Sequence, residues 1–287
     1  MKHILFYSDR KIWGNDTDSS TYVHNALARY PDEFALRVCH EPRPELAREA
    51  DIVFARFENP INRSFLEALC EYEQQGTIFF NSPKAQLNLG TKKNLKYFKG
   101  TDVIPPTYIS SNPVKLAQFA RALKNGIIVK PVDLFGGAGV AKYDHWITST
   151  NDLIYMVGVQ HTARAKNEVV MQEFVPAVTT TGDRRINVFM YEPVSALPRI
   201  PKEGEIVANV TAGGRLTYDI VTDEDRALVT KIIPFLRANG IRWAGVDRIG
   251  NYACEINIIS PGGIGYDKGM QTEEKEDMIV DLVRLAA

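Results

Sequence analysis

The sequence predicts an α/β (α+β) fold, with an open α/β unit at the amino terminus, a compact α+β insert and a strand-rich carboxy-terminal part. Three observations carry this expectation. Strand-like apolar runs alternate with amphipathic segments through the first third of the chain. The stretch "KPVDLFGGAGVAKY", Lys130 to Tyr143, follows the apolar run "GIIV" as a strand, a glycine-rich turn and a second strand. Beyond Pro176 strand patterns dominate.

Composition sets the bounds within which these patterns act. The 287 residues are 45% hydrophobic and 24% charged, enough apolar surface to offset the entropy of ordering a large core. Thirty-four basic and 35 acidic residues leave a net charge of −1, which provides no broad electrostatic footprint for nucleic acid or an anionic membrane. Any anion site must therefore be local. The amino terminus "MKHILFYSDRK" is too short in apolar residues for a signal peptide, and no run is long enough to span a bilayer, so a cytoplasmic location is expected. Cys39, Cys70 and Cys254 are widely spaced and lack a C-x-x-C arrangement, which predicts reduced thiols rather than disulfides or a zinc site.

In chain order, "HILFYS", "SSTYVHNALARY", "FALRVCH", "DIVFARF", "NRSFLEALCEYEQQG" and "TIFFN" read as strand, helix, strand, strand, helix and strand with parallel pairing. Gly76 marks the second helix's stop, and the first boundary falls near Leu89. "NPVKLAQFARALKNG" reads as a helix with Asn112 at the N-cap and Pro113 at its first position. A helical stretch around Asn151 to Lys166 and the strand "EVVMQEFV" complete the insert. The last part contains strands in "RINVFMYEPVSALPRI", turning at Pro193, and in "EIVANVTAGGRLTYDIV". Thr222 and Asp225 form a capping box ahead of a helix that stops at Gly240. A hairpin, "IRWAGVDRIGNYACEINII", and a surface helix from about Thr272 end the chain.

Three clusters could carry chemistry. Taken alone, "GGAG" reads as a hairpin turn with positive φ. Lys130 at the end of a buried strand changes its meaning, because a buried ammonium is costly unless it meets an anion. Small residues at Gly136 and Gly137 would let backbone amides approach phosphate oxygens above that lysine. The second cluster is "VDRIGNYACEINII", where Glu255 and Asn257 share a strand face. A three-residue loop over Gly250 to Tyr252 would place Asp247 opposite Glu255, whereas a two-residue loop at Gly250-Asn251 would send it to the other face. Two adjacent carboxylates and an amide suit Mg²⁺ shared with nucleotide phosphates; a solvated sheet edge is the alternative. In the third cluster, Arg185 and Arg199 flank the Pro193 turn and could face one pocket. Three glycines in the stretch from Lys202 to Gly214, with few large apolar residues, suggest a lid.

These clusters, in this order, resemble the ATP-grasp ligases, and most closely the bacterial glutathione synthetases, from about Ser82 to Pro261. The motifs are "KPVDLFGGAGV", "MQEFVPA", "GDRRINVFMYEPV", "PRIP", "NVTAGGR", "GVDRIG" and "EINIISP". The resemblance implies an ATP-grasp fold with an N-terminal substrate domain at 1–89, a small lid subdomain at 90–175 and a C-terminal subdomain at 176–287 holding the metal and catalytic residues. It implies ATP and Mg²⁺ as cofactors, small-molecule carboxylate and amine substrates, and a homo-oligomer. Lys93 and Lys130 would contact phosphates, with Lys92 an adjacent, equally basic candidate. Gln172, Glu173 and Val175 would form the strand against which adenine packs, and Asp183 would meet the ribose. Arg185, Arg199 and Lys130 would be catalytic, while Asp247, Glu255 and Asn257 would hold Mg²⁺. Asp18, Ser19, Ser20, Arg56, Arg199 and Ser260 would bind substrate.

The sequence also departs from the family's pattern. "ARFENPINR" keeps Arg56 but changes its neighbours, Val207 stands where the family carries a cation in the lid, and "SPGGIGYDKG" replaces the run expected to meet the second substrate's carboxylate. The expected activity is an ATP-dependent ligase that forms an amide through an acyl phosphate, with glutathione synthetase as the specific expectation. Alternatives are another ATP-grasp peptide or amino-acid ligase, a nucleotide-binding protein without turnover, and a simple kinase. Substrate-dependent ADP release separates the ligases from a binding protein, and an amide product separates them from a kinase.

Overall fold

Three sheets organise the chain in the computed structural model, which describes residues 1–8, 18–57, 62–134, 136–143, 168–206, 208, 213–217, 219–265 and 272–286. The first is parallel, in the order β2-β1-β3-β4, and comprises β1 (Lys2–Ser8), β2 (Phe34–Cys39), β3 (Ile52–Arg56) and β4 (Ile78–Phe80). Helices α1 (Ser19–Ala28) and α2 (Arg63–Gln74) supply its crossovers, as the alternating pattern predicts. Asp18 caps α1, its Oδ1 accepting from the amides of Ser20 and Thr21 at 2.9 and 3.0 Å. After α3 (Pro83–Leu89), a 3₁₀ turn at Lys92–Phe98 leads into the second sheet.

That sheet is antiparallel, in the order β5-β8-β6-β7, from β5 (Thr107–Ser110), β6 (Ile127–Pro131), β7 (Ala141–Tyr143) and β8 (Val169–Glu173). The helix α4 (Pro113–Arg121) packs on it, with Asn112 accepting from the Lys115 amide at its start. The expected helix around Asn151 to Lys166 lies outside the described residues.

A single-turn α5 (Val178–Thr181) precedes the third sheet, ordered β11-β10-β9-β12-β13. Its strands are β9 (Asp183–Phe189), β10 (Glu192–Ile200), β11 (Arg215–Leu216), β12 (Trp243–Ile249) and β13 (Tyr252–Asn257). The β9–β10 turn corrects one expectation: it falls at Met190 and Tyr191, at φ 47° and 72°, whereas Pro193 lies inside β10 and pairs with Val188. A β-bulge between Pro193 and Ser195 absorbs the proline, which has no amide to give to the ladder. Ile186 and Val188 face α6 (Asp223–Ala238), whose capping box forms as predicted. Asp183, Arg185, Asn187 and Phe189 therefore face the opposite way.

The first and third sheets share a core. Phe6, Phe54, Phe80 and Phe189 stack in succession with centroids 4.5, 4.6 and 5.1 Å apart. The Asn81 amide fixes their register, donating to the carbonyls of Trp243 and Ile258 and accepting from the Trp243 amide. The final helix, α7 (Thr272–Ala286), is more than a surface element: Ile279, Val280 and Val283 are fully buried in this core, and Arg29 and Tyr30 at the end of α1 reach Glu276 and Asp277.

Candidate active site

Cross-strand registry builds the centre of the site. Arg185 on β9 pairs with Asp247 on β12, and Asp247 pairs with Glu255 on β13, so the three side chains form one row on one face. The route to that row differs from the expected one. The β12–β13 turn has two residues, Gly250 and Asn251, which would by itself have turned Asp247 away from Glu255. A bulge between Asp247 and Arg248 adds the missing residue and restores the pairing.

Two guanidiniums enclose the Asp247 carboxylate. Arg185 donates to both of its oxygens at 2.5 and 2.9 Å, and Arg199 Nη2 lies 2.9 Å from Oδ1. Arg199, only 4% exposed, also grips Asp183 in a two-pronged contact at 2.6 and 2.8 Å. Burial alone would raise the Asp247 pKa, but Arg185 and Arg199 outweigh it and hold the carboxyl well below the usual range. Asp183 shifts the other way, because burial and the Asp247 charge exceed the pull of Arg199. For Arg199, burial is opposed and overcome by Asp247 and Asp183, which keep it charged.

Gly245 gives this contact room. It lies two residues before Asp247 on the same face, and a Cβ there would sit 3.1 Å from Arg185 Cδ and from Pro261 Cβ. The missing methyl lets Arg185 lie across β12 toward Asp247.

Lys92 and Lys93 separate clearly. Lys92 is buried, bonds the Leu134 carbonyl at the start of the glycine-rich loop and lies 3.4 Å from Glu255 Oε1. Lys93 pairs instead with Glu168. Lys130 is buried as predicted, donating to Gln172 Oε1 at 2.6 Å and to the Cys254 carbonyl at 3.2 Å. Burial lifts the Cys254 thiol to about 11, so it stays protonated beside this lysine. Gly136, Gly137 and Gly139 all have positive φ, between 68° and 80°, in the turn joining β6 to β7.

The space between the second and third sheets is a cleft. Lys130, Gly137, Gln172, Glu173, Val175, Asp183, Asp247 and Glu255 line it, with Ile128, Val140 and Ile249 supplying apolar wall. The Glu173 carboxylate turns outward to accept from the amides of Lys124 and Asn125, so it fixes the turn before β6. At the other end, Arg56 stacks 3.8 Å from the Trp243 ring and donates to Ser20 Oγ and the Pro261 carbonyl. Ser19 Oγ accepts from the Ile264 amide. Ser260 Oγ is buried and has no hydrogen-bond partner among the described residues, and Val207 lies outside them.

Among the described residues, no three His, Cys, Asp or Glu side chains converge on a metal position. The donor set is instead two carboxylates and an amide. Asn257, oriented so that both ends are satisfied, donates to Glu255 Oε1 at 2.9 Å and accepts from Arg185 Nη2 at 3.1 Å. Hard oxygens of that number and charge fit a Mg²⁺ ion.

An antiparallel second sheet facing the third across such a cleft is the ATP-grasp fold. The solved ATP-grasp ligase PsnB, complexed with a minimal precursor, superposes with a TM-score of 0.63 over 98% of this chain and 99% of its own, at 16% identity. D-cycloserine synthetase DcsG gives 0.65 over 97% and 99%, also at 16% identity. Within this fold, the prokaryotic glutathione synthetase ATP-grasp domain family matches residues 93–269, and the chain belongs to that family. The glutathione synthetase of Thermosynechococcus vestitus is 31% identical over 215 residues, which cover 74% of this chain and 65% of that protein. The matched stretch thus spans just under two thirds of that relative's length.

Sequence patterns did not distinguish Lys92 from Lys93, and they missed Gly245 and the carbonyls of residues 261–264. Gly245 had a usable signal, a glycine two places before a candidate ligand on the same strand face.

Proposed function

We propose that the protein is an ATP-dependent carboxylate–amine ligase and, specifically, a glutathione synthetase that joins γ-glutamylcysteine to glycine. The observation that carries this is the row Arg185–Asp247–Glu255, with Arg199 and Asn257, lying on the sheet face that borders the Lys130 cleft. Family membership supports it.

Adenine packs against Val175 and the apolar wall of Ile128, Val140 and Ile249. Lys130 and the backbone amides at Gly136 and Gly137 hold the phosphates, and Lys92 takes the role expected of Lys93. Asp183 faces the ribose hydroxyls. Asp247, Glu255 and Asn257 would hold Mg²⁺, which when bound would neutralise phosphate charge. Arg185 and Arg199 turn from Asp247 toward the transferring phosphoryl group, where they meet charge as it develops. A carboxylate oxygen of the first substrate attacks the γ-phosphorus and ADP leaves. The amine then attacks the acyl carbon and loses a proton, and phosphate departs with the former carboxylate oxygen. Arg56, Ser20 and the loop beginning at Ser260 orient the substrates, so that catalysis is largely positioning.

The test is ADP release from Mg-ATP with γ-glutamylcysteine and glycine, together and singly, with the product mass recorded. The proposal expects release that requires the first substrate, and a product of glutathione mass only when both are present. Nucleotide binding without any substrate-stimulated release would overturn it.

A further inference from the structure

Lys275 stands where two separate energetic terms disfavour it. It is the fourth residue of α7, close to the helix's positive end, where acidic residues are favoured and Glu273 and Glu274 are indeed found. It is also 1% exposed, and burying an ammonium is costly unless hydrogen bonds compensate. Its Nζ donates to the Ile264 carbonyl at 2.9 Å and lies 4.9 Å from the centroid of the Tyr22 ring on α1.

The Ile264 carbonyl belongs to a short segment gripped from several directions. Arg56 on β3 holds the Pro261 carbonyl at 3.0 Å, and Arg185 on β9 reaches the Gly262 carbonyl at 3.4 Å. Ser19 on α1 accepts from the Ile264 amide at 3.3 Å. Two of these four side chains, Arg56 and Arg185, are guanidiniums that the proposed ligase reaction uses directly. Gly263, between the Gly262 and Ile264 carbonyls, has φ 102°, a conformation that glycine holds readily and side-chain-bearing residues rarely do.

We propose that Lys275 is a positioning residue for the substrate end of the site: by fixing Ile264 it sets the Pro261 and Gly262 carbonyls, and through them the directions of Arg56 and Arg185. The proposal rests on the ligase reading of the same site. It assigns to α7, which follows the Ser260–Gly269 run along the chain, control of substrate binding without control of nucleotide binding, because Lys130 and the glycine-rich loop lie on the second sheet.

The test compares the full-length chain with Lys275→Met, which keeps the length and loses the charge, and Lys275→Arg, which keeps the charge. Affinity for a fluorescent ADP analogue, thermal melting and the KM of each substrate are measured for all three, with amide hydrogen exchange over residues 261–265. Lys275→Met is expected to raise the KM of at least one substrate by about tenfold or more, with ADP affinity within about twofold of wild type. Exchange at 262–265 should accelerate in Lys275→Met, and Lys275→Arg should restore both readouts most of the way. Unchanged substrate KM, or a parallel loss of ADP affinity that Lys275→Arg does not rescue, would overturn the proposal. If the wild-type chain shows no turnover, the ligase reading fails on its own, and exchange decides the structural claim: unchanged exchange in Lys275→Met sinks it.

Discussion

Replacing Asp247 by Asn should cost far more stability than a change at an ordinary polar residue. The residue is 6% exposed, and its carboxylate accepts from Arg185 at both oxygens and from Arg199 at one. An amide of the same shape retains one acceptor but removes the charge that compensates two buried guanidiniums. Arg199 keeps its two contacts to Asp183, so most of the loss falls on Arg185. Breaking a buried pair by removing one partner costs about 3–5 kcal/mol, and the surviving Asp183 contact places this case near 3 kcal/mol. At roughly 2–4 °C per kcal/mol for a chain of this size class, the melting temperature should fall by about 6–12 °C.

The pH dependence has a definite sign. The folded-state pKa of Asp247 lies below its unfolded value, so its stabilisation is fully present above the unfolded pKa, near 4, and is lost as pH falls through the depressed folded value. The gap between wild type and variant should hold constant from about pH 5 to 8 and narrow below about pH 4. Melting followed by circular dichroism across that range measures both quantities. A variant as stable as wild type at pH 7, or a gap that widens on acidification, would refute the ion-pair account.

Three further outcomes follow from neighbouring residues. Gly245→Ala places a methyl 3.1 Å from both Arg185 Cδ and Pro261 Cβ, so Arg185 must give by a few tenths of an ångström; turnover should fall severalfold with a stability loss of about 1–3 kcal/mol, read by steady-state kinetics and denaturant melts. Asp225→Asn on α6 removes a fully buried carboxylate that pairs with the partly exposed Arg184 and Arg248 on the sheet's other face. It should cost about 3–5 kcal/mol while ADP affinity, measured by titration, stays within about twofold. Cys254, with its thiol pushed up to about 11, should resist alkylation in the native protein at pH 8 and react only on unfolding, which peptide mass spectrometry can follow.

Where local chemistry decides, the sequence was informative. Asn112 and the Thr222–Asp225 box cap their helices as their residue types require. Period-2 alternation put Glu255 and Asn257 on one strand face, but it tied the pairing of Asp247 with Glu255 to a three-residue loop; the loop has two residues, and a bulge makes up the difference. Bulges leave no composition signal. The choice between Lys92 and Lys93 was equally hidden, since it depends on how a 3₁₀ turn rolls against β13. Pro193 looked like a turn residue and instead occupies a bulged strand, while Met190 and Tyr191, unusual at positive φ, make the turn. The burial of α7 could not be read locally, because its partner α1 lies at the other end of the chain.

The central claim is that a substrate carboxylate oxygen attacks the γ-phosphorus and later leaves with phosphate. It is tested most directly by supplying γ-glutamylcysteine labelled with ¹⁸O in its cysteinyl carboxylate, together with Mg-ATP and glycine, and weighing the phosphate released. The account predicts one labelled oxygen per phosphate and ADP as the nucleotide product. Unlabelled phosphate, or AMP in place of ADP, would contradict it.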